Sequence, residues 1–286
     1  MGEVTERIAI AGPAALPKDL LPRLLSGIVM AAVALTCNWF GALPFALMVL
    51  AIALAMSWEW SRMVRGVAVD SALLIQAITV LAAAPLTAKG MIGWALAAVA
   101  IGTLAVLAIG QSRHRLLSAL GVAYVGLPVI ALIWLRGTDT FGALAILFVF
   151  VIVWTTDTFA YLCGRMIGGP KLWPALSPGK TWAGTIGGLA FAALAGVLFA
   201  GFITSPTAPL ALAATAIGLS IVSQIGDLAE SALKRAFAVK NASGLSPGHG
   251  GFMDRMDGIV TAASLAALLA AMRGAGSPGQ ALLLWS

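Results

Sequence analysis

A few short runs hold most of the residues able to do chemistry in this 286-residue chain. The densest is LSPGHGGFMDRMDG, Leu245 to Gly258. The chain has 11 acidic residues and two histidines, and this run carries two of the acids, one histidine, an arginine and four glycines. Asp254 and Asp257 stand three apart at what reads as a helix start, so they share a face. A single carboxylate there needs only the helix dipole and a free N-terminal amide to account for it. Two, flanking Arg255 behind a Gly-His-Gly-Gly turn, ask for a ligand. Gly248, Gly250 and Gly251 let backbone amides approach an anion closely. His249 could touch a phosphate or simply sit at a membrane surface.

A second run, SQIGDLAESALKR (Ser223 to Arg235), places Asp227 and Glu230 at i,i+3, with Ser231 and Lys234 continuing the same face. An ionised carboxylate inside a membrane span costs roughly 2.5–3.5 kcal/mol on insertion scales. Glu230 has a structural explanation in an i,i+4 ion pair with Lys234; Asp227 has no basic residue one turn earlier. Asp227 joined to Asp254 and Asp257 would make an oxygen-ligand site for Mg²⁺.

A third run extends from Thr155 to Gly188 and holds Asp157 near the end of an apolar stretch, then Arg165, Lys171 and Lys180. SPGKTW matches the tail of a P-loop. That motif needs a glycine five residues before Gly179, where Pro174 stands, and a preceding strand-forming run is missing, so the P-loop is rejected. Lys180 and Thr181 at a helix entry can still bind phosphate through charge and free amides. Gly184 and Gly188 form a GxxxG, read as helix packing. Glu59, between Trp58 and Trp60, reads as interfacial, and Asp70 and Asp139 as ordinary loop acids.

The elements that position these residues are set by composition. The chain is 60% hydrophobic and 10% charged, with a mean hydropathy of +1.00, far from the quarter-charged average of soluble domains. The expected fold is all-α and polytopic in a membrane, with about nine spans near residues 24–41, 43–61, 71–88, 91–110, 116–135, 141–161, 183–203, 208–232 and 258–272. Glu3 and Glu6 ahead of a long first apolar run argue against a cleaved signal. An internal N-terminus leaves only Lys89, Arg136 and Arg273 outside and the other 14 of 17 basic residues inside, the asymmetry that sets orientation. The net charge of +6 is therefore assigned to internal loops, with no nucleic-acid partner expected. Residues 1–23 form a cytoplasmic tail, 24–140 a bundle with little chemistry, 141–273 a catalytic transmembrane region opening on the cytoplasmic face, and 274–286 a C-terminal tail. Cys37 and Cys163 fall in separate spans with no disulfide or metal-ligand spacing. Trp39, Trp58, Trp60 and Trp182 read as interface anchors.

These residues resemble the phosphatidate cytidylyltransferase (CDP-diacylglycerol synthase) family. Its signature runs Ser-x-x-Lys-Arg, Lys-Asp, then Pro-Gly-His-Gly-Gly-x-x-Asp-Arg-x-Asp. Here it stands as Ser231 to Arg235, Lys240-Asn241, and Pro247 to Asp257. TDTFAYLCGRMIGG, SPGKTWAG and QIGDLAES are similar to upstream family elements. The likeness covers about residues 150–260 in motifs and the N-terminal half in hydropathy alone. Asn241 stands where the family has Asp, Ala183 where Glu is frequent, Ser246 in a usually apolar place, and Gly258 where Ser is frequent. These departures imply a paralogue of altered substrate preference or lower activity as one alternative.

The resemblance implies a Mg²⁺-dependent transferase in the cell inner (cytoplasmic) membrane that makes CDP-diacylglycerol and pyrophosphate from CTP and phosphatidate. On it, Asp227, Asp254 and Asp257 organise Mg²⁺ on the triphosphate. Lys180, Thr181, Lys234, Arg235, Lys240, Arg255, His249 and the glycines contact substrates, with Asp157 beside them. A second, monovalent cation and a homodimer are left open. Three rivals remain. One is a CTP-using lipid kinase. Another is a CDP-alcohol phosphotransferase, whose motif Asp254-Arg-Met-Asp257-Gly258 opens but does not complete. The third, of another class, is an ion-coupled transporter using Asp157, Asp227 and Glu230.

Overall fold

The structure is a computed structural model that describes residues 20–109, 114–203, 205, 207–244, 250–274 and 276–285. Nine long helices account for nearly all of it: α1 Leu20–Phe40, α2 Ala42–Arg65, α3 Ser71–Ala88, α4 Ile92–Ile109, α5 Arg115–Arg136, α6 Thr140–Met166, α7 Trp182–Ala200, α8 Pro209–Ala236 and α9 Met253–Arg273. In hydrocarbon every backbone N–H and C=O must find a partner within the segment, which leaves long apolar runs no alternative to helix. Among the described residues, α2 through α9 are each long and apolar enough to cross a membrane. This is the polytopic all-α architecture expected. Outward-facing side chains such as Trp39, Phe202, Leu210 and Trp94 are largely exposed, as lipid-facing surface must be. Several hydroxyls inside the spans bond back to carbonyls one turn earlier, Thr79 to Ile75, Thr156 to Ile152 and Ser264 to Val260 among them, which satisfies them within their own helix.

The core runs through α2, α5, α6, α8 and α9 and is centred on Phe45, Phe148, Ile152, Leu212 and Leu219. Two glycine contacts fix the geometry of the catalytic half. Gly184 and Gly188 seat α7 on α6: a Cβ on Gly184 would come 2.5 Å from the Ala160 carbonyl, and one on Gly188 3.0 Å from that of Thr156. The GxxxG is a packing device, as the sequence suggested. Gly226 does the same for α8 against α9, where a Cβ would lie 2.7 Å from the Asp257 carbonyl.

Helix ends explain other residues. Asp70 and Asp139, read as loop acids, accept from Leu73 N at 2.8 Å and Gly142 N at 2.6 Å and cap α3 and α6; Asp70 also pairs with Arg65 at 2.6 Å. The segment between α6 and α7, expected as a loop, carries a small antiparallel hairpin, β1 Lys171–Trp173 and β2 Ser177–Thr181. The final residues, expected as a tail, turn into α10, Pro278–Leu283. A capping box between Ser277 and Gln280 starts this helix. Leu282 and Leu283 are fully buried, and Arg273 holds it by donating to the Ala281 and Leu284 carbonyls. Of the proposed interface anchors, Trp39 and Trp182 are exposed, but Trp60 is buried and donates to the Leu117 carbonyl at 3.0 Å. Its indole is a link from α2 to α5, because its N–H found a carbonyl inside the bundle.

Replacing Gly184 by Leu forces a side chain onto the Ala160 carbonyl. Thermal unfolding in detergent should show a loss of about 1–3 kcal/mol, the usual cost of overpacking.

Candidate active site

The α8–α9 crossing made close by Gly226 brings three carboxylates together. One oxygen from each of Asp227, Glu230 and Asp257 lies within 4.8 Å of the others. The i,i+3 spacing puts Asp227 and Glu230 on one face of α8, and Asp257 arrives on the first turns of α9. Glu230 is 4% exposed, and its Oε1 is buried without a hydrogen-bond partner among the described residues. An orphaned, buried carboxylate oxygen facing two other acids is what a cation site offers before the cation is counted, and an all-oxygen set suits a hard divalent ion. Lys180, delivered by β2, pairs with Asp227 at 2.6 Å. Ser231 donates to the other oxygen of Asp227 at 3.4 Å. Asp157, on α6, lines a cavity together with Arg255.

A second polar knot adjoins the first through Lys234. Its ammonium bridges Glu230 at 3.0 Å and Asp254 at 2.6 Å. The i,i+4 pair anticipated for Glu230 is therefore present, while Glu230 also faces the acid group. Asp254, expected beside Asp227 and Asp257, takes other partners. Oδ1 meets Lys234, and Oδ2 accepts from Ala242 N at 3.0 Å and Gly251 N at 2.7 Å. Oδ2 thus ties Asp254 to Ala242 and Gly251, and Oδ1 ties it to α8. The two glycines here make room for protein carboxylates. Gly250 has φ +84°, and a Cβ would lie 2.6 Å from Asp254 Oδ2; on Gly251 it would lie 2.6 Å from Glu59 Oε1. The Gly251 amide is thus already engaged. Gly248 and His249 lie outside the described residues.

Glu59 is the residue that sequence reasoning passed over. It is fully buried and accepts from Ser243 Oγ at 2.5 Å, Phe252 N at 2.9 Å and Met253 N at 2.8 Å. A carboxylate from α2 thereby occupies the N-terminus of α9. The signal was available: the insertion cost that singled out Asp227 applies equally to Glu59.

The other expected substrate residues fall in three places. Thr181 is buried and spends its hydroxyl on Gly184 N, capping α7. Lys234, Arg235 and Lys240 line a polar cavity of about 540 Å³ roofed by Leu176, Ser177 and Pro178 of the hairpin, where Arg235 also reaches the Leu176 carbonyl at 3.4 Å. Arg255 is exposed and, with Asp157, lines a second cavity of about 560 Å³. The walls of that cavity are apolar, among them Met30, Met48, Ile52 and Trp154. Lys234 lines the first cavity and pairs with Glu230, while Arg255 and Met256, next to Asp257 in the chain, line the second.

Comparison with known proteins decides what this arrangement belongs to. A family model described as the cytidylyltransferase family matches residues 21–272. The chain belongs to that family. It is 40% identical over 259 residues to a phosphatidate cytidylyltransferase of Brucella abortus biovar 1 (strain 9-941), covering 89% of this chain and 94% of the relative. It is 43% identical over 138 residues to one from Staphylococcus saprophyticus, covering 48% and 52%, and 38% identical over 138 residues to one from Bacillus subtilis (strain 168), covering 48% and 51%. The protein is a nucleotidyltransferase embedded in a membrane, which sets aside the transporter alternative. Membership in the family also gives the acidic group a context, since such enzymes act on nucleotide triphosphates.

Lys234→Met would leave Glu230 and Asp254 buried without their shared cation. Breaking a buried pair in this way costs roughly 3–5 kcal/mol. Thermal or denaturant unfolding in micelles should register it, with a much smaller loss in Arg235→Met, whose side chain is exposed.

Proposed function

We propose that the protein transfers a cytidylyl group from CTP to phosphatidate, yielding CDP-diacylglycerol and pyrophosphate, at the cytoplasmic face of the inner membrane. The observation that carries this reading is that Lys234, paired with Glu230 of the three-carboxylate group, lines one cavity with Arg235 and Lys240, while Arg255 is among the residues lining a second, apolar cavity. The first fits a nucleotide triphosphate, and the second the acyl chains of a lipid whose phosphate reaches Arg255. Asp227, Glu230 and Asp257 would hold Mg²⁺, with Asp254 joining them or, through Lys234, keeping Glu230 in place. A divalent cation there supplies charge neutralisation on the triphosphate and its departing pyrophosphate.

In the reaction, a phosphate oxygen of phosphatidate attacks the α-phosphorus of CTP. The bond from that phosphorus to the β-phosphate bridge breaks, and pyrophosphate leaves with the electron pair. The second ionisation of a phosphomonoester lies near pH ~6, by analogy with phosphorylated side chains. The nucleophile therefore carries its charge near neutral pH, and the protein need not supply a strong base. The chain's part is positioning and electrostatics, the usual division of labour in phosphoryl transfer. Lys180 is tied to Asp227 and can turn to a phosphate oxygen once that carboxylate is otherwise engaged. Lys234, Arg235 and Lys240 face the nucleotide, and Arg255 the lipid phosphate. His249 and Gly248 retain the substrate-contact roles that the motif implies. Asn241, which stands where the family has Asp, packs beside Gly250. The acids of the proposed cation site are intact, and this supports an active enzyme. Basic residues concentrated on the side of the acids support the cytoplasmic orientation.

Purified full-length protein given CTP, Mg²⁺ and phosphatidate should release pyrophosphate, stop on addition of EDTA, and resume with excess Mg²⁺. Asp257→Asn should lower kcat by about 100-fold or more, the scale of losing one preorganised charge interaction at a transition state. Failure of the wild-type protein to release pyrophosphate, with CTP consumed on a lipid alcohol instead, would replace this reading with a kinase.

A further inference from the structure

We infer that Glu59 is a positioning residue for nucleotide binding, placed in the reaction by the N-terminal bundle. This rests on the cytidylyltransferase reading and extends it to a residue on α2. Glu59 is fully buried near the end of its helix. On one side Trp60 is fixed by its bond to the Leu117 carbonyl and by its ring against Tyr124 at 5.1 Å. On the other, Arg62 lies over Trp58 at 4.8 Å. So held, the carboxylate reaches across to a segment more than 180 residues away in sequence, where its donors are the Ser243 hydroxyl and the Phe252 and Met253 amides.

Two consequences follow for the site. An anion at a helix N-terminus satisfies free amides and the helix dipole together. Glu59 fills that place on α9, so a substrate phosphate does not. The nucleotide is then held by side-chain cations, bound metal and the Gly248 and His249 contacts that the motif implies. Second, Glu59 and Asp254 together take adjacent amides at the start of α9. Glu59 takes the amides of Phe252 and Met253, and Asp254 takes those of Ala242 and Gly251. Asp254 is therefore presented to Lys234 in one register, and Lys234 lines the polar cavity with Lys240. Glu59 acts through Asp254 and Lys234 on the nucleotide. Gly251 completes the argument, since any side chain there would collide with the Glu59 carboxylate.

The test uses the full-length protein in detergent, with hydrogen exchange read on peptides covering 241–256 and steady-state kinetics read separately for the two substrates. Glu59→Gln replaces one acceptor oxygen by a donor facing a backbone amide. The expected result is faster exchange at Phe252 and Met253 and a KM for CTP raised about tenfold. The KM for phosphatidate should stay within about twofold, and Glu59→Asp should recover part of the loss. If Glu59→Gln does not fold, Ser243→Ala removes one donor and should give the same pattern more weakly. A lowered thermal midpoint with an unchanged CTP KM would reduce Glu59 to a stability role and overturn the inference, as would unchanged exchange. A wild-type protein inactive on CTP and phosphatidate would count against the cytidylyltransferase reading instead, and the exchange of the Phe252 and Met253 amides would still decide for or against the anchor.

Discussion

Burying several carboxylates at one helix crossing in a membrane protein is the constraint on which this structure turns. Each ionised acid taken out of water carries a penalty of several kcal/mol unless a cation or a set of donors offsets it. The chain meets that demand unevenly. Glu59 is offset by a hydroxyl and two amides, Asp254 by a lysine and two amides, and Asp227 by Lys180. Lys234 is divided between Glu230 and Asp254. What remains is a group of three acids with an unpartnered Glu230 oxygen. The chain is thus saturated where it is architectural, and an unpartnered acid oxygen remains where we propose that a divalent cation and a triphosphate bind.

The glycines follow from the same constraint. Gly226 brings α8 near enough to α9 for Asp227 and Glu230 to meet Asp257, and Gly250 and Gly251 let Asp254 and Glu59 reach the backbone. A phosphate cradle was one expectation for this motif. In its described part, Gly250 and Gly251 let the protein's own anions, Asp254 and Glu59, close on the backbone.

Much of this was legible in the sequence, and the limits have a physical origin. The helices could be read because lipid leaves a long apolar run few choices. Asp227 and Asp257 could be read because i,i+3 spacing on a helix is local geometry. Asp254 has the same spacing and different partners, since its first neighbours, Ala242 and Gly251, belong to an irregular segment whose path no periodicity reveals. The hairpin at 171–181 escaped for a similar reason: three- and five-residue strands carry little pattern. Glu59 escaped because a glutamate between two tryptophans at a span end looks the same whether it faces water or a distant helix. Only the pairing of α2 with the start of α9 separates the two cases, and that pairing joins residues 193 and 194 apart. The division into a bundle of little chemistry at 24–140 and a catalytic region at 141–273 overlooks this link.

The central claim is that carboxylates from α8 and α9 together form one divalent-cation site. Mn²⁺ binding, followed by electron paramagnetic resonance in the presence of CTP, tests it most directly. The account predicts that wild-type protein binds the ion, and that Glu230→Gln and Asp257→Asn each lose it while remaining folded, although the two residues sit on different helices. Undiminished Mn²⁺ affinity in both variants would contradict it.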